Sequence, residues 1–190
     1  MKNIWLVVPC YNEEEVLPET SRQLKAVMQS MIDSGKISPE SKIAFVNDGS
    51  KDNTWNIISA LCTDDGIFAG INLSRNKGHQ NALLAGLMTA KKYADAVISL
   101  DADLQDDVDA IEKMVDNFIA GDDIVYGVRS SRKKDTFFKR FTAEGFYRVM
   151  NALGAETVFN HADYRLLSRR ALEGLAAFKE VNLFLRGIVP

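Results

Sequence analysis

Cysteine is scarce in this chain: only Cys10 and Cys62 occur, far apart and in no C-x-x-C pair. That argues against a disulfide scaffold or a cysteine zinc site and suits a reducing cytoplasm. No run approaches the roughly 18 apolar residues of a membrane span. The start, Met1-Lys2-Asn3-Ile4, runs straight into a strand-like segment, so no signal peptide is expected and the chain as written should be soluble. The formal net charge is only -3, which removes any global electrostatic case for nucleic acid or acidic polymers. No G-x-G-x-x-G follows the first strand; the turn there reads Pro9-Cys10-Tyr11-Asn12-Glu13, with Glu14 and Glu15 next. A dinucleotide pyrophosphate would find no glycine cradle there and would meet repelling carboxylates. No G-x-x-x-x-G-K-[ST] occurs either, which excludes a P-loop. Low-complexity tracts and internal repeats are absent.

What is present is an alternation. Ile4 to Val8, Ile43 to Val46, Ile67 to Leu73, Ala96 to Leu100 and Asp123 to Val128 are short, apolar and rich in β-branched residues, as buried strands are. Between them, apolar residues recur at helical spacing: Val16, Leu17, Leu24, Val27, Met28 and Met31, then Leu83, Leu84 and Leu87, then Val108, Ile111, Val115 and Phe118. Strand and helix alternating four times predicts an α/β fold, a mostly parallel, Rossmann-like sheet with helices on both faces. With 190 residues, 46% of them hydrophobic, the chain can fill one domain core. After Val128 a basic segment leads into helical stretches around 137–153 and 168–178, a C-terminal third expected to flank the sheet and cover the site.

In such sheets ligands sit at the carboxyl ends of the strands. The chain puts polar residues there five times: Tyr11-Asn12-Glu13, Asn47-Asp48-Gly49-Ser50, Ser74-Arg75-Asn76, Asp101-Ala102-Asp103-Leu104-Gln105, and Arg129. If the strand stays extended past Leu100, Asp101 and Asp103 share a face at about 6.5–7 Å. Two such carboxylates repel unless a proton or cation lies between them, and a hard divalent ion with oxygen ligands fits. Taken alone, Asp-Ala-Asp would more simply cap a helix beginning near Asp107; five polar clusters at one edge favour the metal.

These segments, with Ser74-Arg75-Asn76-Lys77-Gly78-His79-Gln80 and Tyr126-Gly127-Val128-Arg129, resemble the ordered motifs of family 2 glycosyltransferases of the GT-A fold. Ala162-Asp163-Tyr164-Arg165-Leu166-Leu167-Ser168-Arg169 and Phe184-Leu185-Arg186-Gly187 are similar to the branch that uses polyprenyl phosphates. The match runs from Val8 to Val189 and departs in two places: Asn47 stands where the family often has Asp, and Asp106-Asp107-Val108 where it usually has proline. The resemblance implies one catalytic domain, with a nucleotide-sugar half over about 1–128 and an acceptor half over about 129–190. It implies inverting transfer of a hexose from a UDP- or GDP-sugar to an undecaprenyl or dolichyl phosphate, assisted by Mg2+ or Mn2+. The alternative is a family 2 enzyme acting on a sugar hydroxyl in polysaccharide synthesis. It further implies continuation past Pro190 into membrane segments, work at the cytoplasmic membrane face, and room for a homo-oligomer.

Carried over residue by residue, Asp103 is the expected metal ligand, with Gln105 as a neutral one and Asp101 on the ion or the ribose. Asp48 and Glu13 would accept hydrogen bonds from the nucleoside, and Pro9 and Tyr11 would shape the base pocket. The plainer alternative for Asp48-Gly49-Ser50 is a turn with a helix capped through Asp52. Arg75 is placed between donor contact and solvated charge, and Gly78 permits a tight turn or close ligand approach. His79 and His161, lacking metal spacing, are expected to be structural. Asp163 falls where the family's proposed base lies, and Arg165 would bind phosphate; a buried Asp–Arg pair is the competing reading. Arg129, Arg132, Lys133, Lys134, Lys139 and Arg140, interleaved with Phe137, Phe138 and Phe141, suit a membrane interface with anionic headgroups. Arg129, Arg132 and Arg186 are the candidates for acceptor phosphate.

Overall fold

Strand β1 (Ile4–Cys10) is buried at every position, which is how a strand behaves when helices cover both faces of its sheet. The computed structural model describes residues 1–128 and 161–177. Within them follow α1 (Leu17–Asp33), β2 (Lys42–Asn47), α2 (Thr54–Asp64), β3 (Phe68–Asn72), α3 (His79–Ala90), β4 (Ala96–Ser99), α4 (Ala110–Ala120), β5 (Ile124–Val128), β6 (His161–Ser168) and α5 (Arg169–Ala176). The strands lie side by side in the order β3-β2-β1-β4-β6-β5. The first four are mutually parallel, and β6 runs antiparallel to both β4 and β5.

Alternation along β1 divides the core. Ile4, Leu6, Val8 and Cys10 face one layer, with Leu17, Leu24, Met28 and Met31 of α1, Ile58 of α2 and Ile111, Met114 and Val115 of α4. Trp5 and Val7 face the other, with Ala82, Leu83, Leu87 and Ala90 of α3 and Leu172 and Leu175 of α5. Burying each large aliphatic side chain contributes about 1.5–3 kcal/mol. The helical stripe in α1 recurs at spacings of 7, 4 and 3 residues, and Pro18 sits in its first turn, where a missing N–H is harmless. On the other face Gly86 of α3 lies directly on the sheet. A β-carbon there would collide with the Val7 Cγ1 atom and come within 2.8 Å of Val46 Cγ2.

Residues 161–168 belong to the C-terminal third expected to flank the sheet, yet they form β6 within it. The pattern Tyr164-Arg165-Leu166-Leu167 conceals the strand, because an arginine occupies a fully buried position. The helix expected over 168–178 is α5, capped by Ser168, whose hydroxyl accepts the Ala171 N–H. The stretch 137–153 lies outside the described residues. Among the described residues, no helix is long and apolar enough to cross a membrane.

Candidate active site

β1 and β4 are neighbours, yet the chain leaves β1 toward β2 and leaves β4 in the opposite direction. Their following loops diverge and open a crevice at the carboxyl edge, the usual ligand position in such sheets. The β1–α1 loop forms one wall and is stitched to the β2–α2 loop. Asn12, at φ 56, donates its N–H to Ser50 Oγ at 3.0 Å and accepts the Lys51 N–H at 2.9 Å. The Glu13 N–H donates to Thr54 Oγ1 at 2.8 Å, and Glu14 accepts the Asn53 N–H at 2.8 Å. Asp52 accepts the N–H groups of Thr54 and Glu14 and so ties the start of α2 to the β1–α1 loop. The sequence leads one to expect Asp52 as the cap of α2, but the N-cap position is Asn53, which makes no side-chain cap bond. Pro9 is buried beneath this loop and Tyr11 is exposed at its tip.

Asp48, 2% exposed, lies at the end of β2. Its carboxylate oxygens accept the Lys77 N–H at 2.6 Å and the Gly78 N–H at 2.9 Å, so it shapes the β3–α3 loop. Next to it Gly49, at φ +66, lets that loop pass so closely that a β-carbon would lie 2.5 Å from the Arg75 carbonyl carbon and the Asn76 nitrogen. Only glycine fits there, for both reasons. Gly78, at φ 85, then turns the chain into α3, while the Arg75 side chain is exposed.

Asp101 and Asp103 do not continue the strand. β4 ends at Ser99, Leu104 has φ 55, and the Gln105 N–H donates to Asp103 Oδ1 at 3.1 Å in a tight turn. The cause is Pro9: after the Leu100 N–H bonds the Val7 carbonyl at 3.2 Å, the next rung would need an N–H that proline lacks. Asp103 caps no helix either, since α4 starts at Ala110 after Asp109.

Asp101 and Asp103 line an open cavity of about 340 Å³ with Pro9, Glu13, His79, Gln80 and Ala102. An adjoining cavity of about 160 Å³ shares Pro9, Glu13 and His79 and adds Tyr11, Asp48, Asn76 and Gly78 among its walls. Gln105 is exposed and lines neither. Burial and then the charges of Asp103, Asp52 and Asp101 push the Glu13 carboxyl above its ordinary range. Burial also drives the Cys10 thiol far up, which leaves it unsuited to nucleophilic chemistry. Negative charge drawn from three loops, carried by hard oxygen donors, fits a divalent cation. Among the described residues no three Asp, Glu, His or Cys side chains group closely enough to hold one alone. Ions of the Mg2+ type commonly take one or two carboxylates and complete their shell with phosphate oxygens and water.

His79 is expected from the sequence to be structural and Gln80 is given no role, yet both line the larger cavity, and His79 Nε2 is 3.7 Å from Asp101 Oδ1. The available signal was Gly78 immediately before them, which starts α3 at the crevice. Arg165, 1% exposed, stands on β6 opposite Ser99 of β4 and Tyr126 of β5. Asp163, two residues earlier on this antiparallel strand, lies beyond the end of β4, at the same edge as the crevice. Arg129, Arg132, Arg186 and the basic-aromatic run lie outside the described residues.

The profile of glycosyl transferase family 2 matches residues 5–175. The uncharacterized glycosyltransferase YkoT of Bacillus subtilis (strain 168) is 55% identical over 185 residues, which is 97% of this chain and 55% of that protein. The bactoprenol glucosyl transferase of Shigella phage SfV is 39% identical over 188 residues, 98% of this chain and 58% of that protein. The chain thus spans about half the length of the curated relatives it matches. Among solved structures, glucosyl-3-phosphoglycerate synthase from Mycobacterium tuberculosis, in complex with Mn2+, uridine diphosphate and phosphoglyceric acid, superposes with a TM-score of 0.59. At 17% identity over 89% of this chain and 56% of that one, this is a likeness of fold.

Proposed function

The chain belongs to glycosyl transferase family 2 and has the GT-A fold, and from that premise we propose that it passes a hexose from a nucleotide diphosphate sugar to a polyprenyl phosphate, inverting the anomeric carbon, with a divalent cation in the site. The observation that carries this reading is the convergence of Glu13, Asp101 and Asp103 on one open cavity at the crevice between β1 and β4. The acceptor class is supported by the relative named bactoprenol glucosyl transferase, and the cation and nucleotide by the Mn2+ and uridine diphosphate bound to the mycobacterial synthase. Membrane attachment belongs to the same reading. The basic-aromatic run after Val128 suits the cytoplasmic leaflet.

In this reading Asp101 and Asp103 hold the cation, and Gln105, two residues on in the same turn, is the candidate neutral ligand. The chemistry a divalent cation supplies when bound is neutralisation of the departing nucleoside diphosphate. Pro9 and Tyr11 border the base, and Glu13 accepts from base or ribose. Asp48 acts largely through the loop it shapes, which also carries Arg75 and Gly78. The nucleophile is a phosphate oxygen, already mostly deprotonated at neutral pH because its second pKa is about 6. It therefore needs orienting more than it needs a base. Asp163 positions it or takes the residual proton, and Arg165 contributes positive charge at the same edge. Arg129, Arg132 and Arg186 would engage the acceptor phosphate, dividing the chain into a donor half over about 1–128 and an acceptor half over about 129–190.

The test is thermal unfolding with UDP- and GDP-sugars, each with Mn2+ and with EDTA. At a hundredfold excess over its dissociation constant, the right donor adds about 2.7 kcal/mol, or roughly 5–10 °C. The shift should vanish with EDTA and in Asp103→Asn. Absence of a shift with every donor would overturn the reading of this cavity as a donor site. With a polyprenyl phosphate acceptor, Asp163→Asn should bind both substrates and turn over slowly; near-normal turnover would remove Asp163 from the mechanism.

A further inference from the structure

Two hydroxyls from distant parts of the chain hold the loop that carries Asp101 and Asp103. Thr20, fully buried in the first turn of α1, donates to the Ala102 carbonyl at 2.6 Å. Its oxygen is also 3.0 Å from the Val16 carbonyl; a hydroxyl has one proton, and the shorter contact goes to Ala102. Tyr164, 3% exposed on β6, donates to the Asp107 carbonyl at 2.8 Å. Between these anchors Leu104 has φ 55. That left-handed conformation is unfavourable for a residue with a β-carbon and persists only where the surroundings impose it.

The placement matters because Ala102 lies between the two carboxylates, and Asp107 ends the turn before α4. Neither bond is needed to dock α1 or β6. Leu17 and Leu24 of α1 and Leu166 of β6 already lie in one hydrophobic cluster with Ile98 and Ile111. Both hydroxyls instead end on carbonyls of this single loop.

We propose that Thr20 and Tyr164 are positioning residues that hold 102–107 in its strained turn before any ligand arrives, so that binding does not have to order the carboxylates. The proposal rests on the reading of Asp101 and Asp103 as cation ligands. Preorganised ligands bind more tightly because the ordering cost is met during folding.

The experiment compares Thr20→Val, which is nearly isosteric, Tyr164→Phe, Thr20→Ser, which restores the hydroxyl, and Asp103→Asn. Free Mn2+ is followed by electron paramagnetic resonance with UDP or GDP present, and amide hydrogen exchange is measured without metal. Thr20→Val and Tyr164→Phe should each weaken Mn2+ binding about five- to tenfold, the value of one hydrogen bond. Exchange should quicken at the amides of 102–107, and Thr20→Ser should bind as wild type does. If Asp103→Asn loses Mn2+ while Thr20→Val and Tyr164→Phe bind it normally, with only their melting temperatures lowered, the hydroxyls serve the fold alone and the proposal is overturned. If the wild type itself takes up no Mn2+ with either nucleotide and Asp103→Asn behaves identically, the cation reading fails and the proposal falls with it.

Discussion

Buried carboxylates need acceptor geometry satisfied by something, and for Asp48 that something is backbone. The amides of Lys77 and Gly78 both donate to it, so one side chain at the end of β2 sets the course of the loop entering α3. Asp48→Ala should leave two donors without a charged acceptor and cost about 3 kcal/mol. Asp48→Asn, which keeps one acceptor oxygen, should cost about half of that. Urea unfolding checks both, with the midpoint moving and the slope unchanged. The sequence announced that Asp48, next to Gly49, was special, but not which partner it would take. Its hydrogen-bond partners lie 29 and 30 residues away, and no local period encodes that distance. The place of His79 at the cavity went unforeseen for the same reason: a lone histidine, read as structural, carries no spacing signal, and its approach to Asp101 exists only because α3 starts beside β4.

At the level of elements, close contact between α3 and the sheet rests on Gly86, which faces Val7 and Val46. A methyl there would overpack the interface at about 1–3 kcal/mol, offset by about 1 kcal/mol of helix propensity. Gly86→Ala should therefore lose up to about 2 kcal/mol in chemical unfolding; a gain in stability would mean that α3 can slide without loss. Helices and parallel strands were legible because burial stamps a period on local sequence: 3.6 in α1, a continuous apolar run in β1. β6 was not, because Arg165 breaks the apolar run at a position that is nonetheless buried. The end of β4 was misjudged for another reason. An apolar run tells where a strand is buried, but the ladder stops where Pro9, on a different strand, cannot donate.

Across the whole molecule, acidity gathers at one edge. Glu13, Asp52, Asp101 and Asp103 come from three loops, and burial first, then the charge of the other three carboxylates, holds the Glu13 carboxyl above its ordinary range. A carboxyl raised by folding binds its proton more tightly in the native state. Its contribution to stability is therefore full below the unfolded pKa, about 4.3, and is lost as pH rises through the folded value. Glu13→Gln should accordingly melt higher than wild type at neutral pH, with the difference closing as the pH falls below that range. Mn2+ with a nucleotide should release protons near the Glu13 transition, seen as a buffer-dependent heat in calorimetry. Equal melting curves for Glu13→Gln and wild type at every pH would remove the electrostatic penalty from this account.

The sequence by itself determined the alternation of strands and helices, the polar clusters at the carboxyl ends, and through them the family, since period and residue type are local properties of a chain. Tertiary structure decided what a chain cannot write locally. It placed β6 between β4 and β5, turned Asp101 and Asp103 out of the strand, tied Asp48 to the α3 loop and brought His79 to the cavity. Each of these depends on a hydrogen bond, a missing donor or a packing neighbour contributed by a segment remote in sequence.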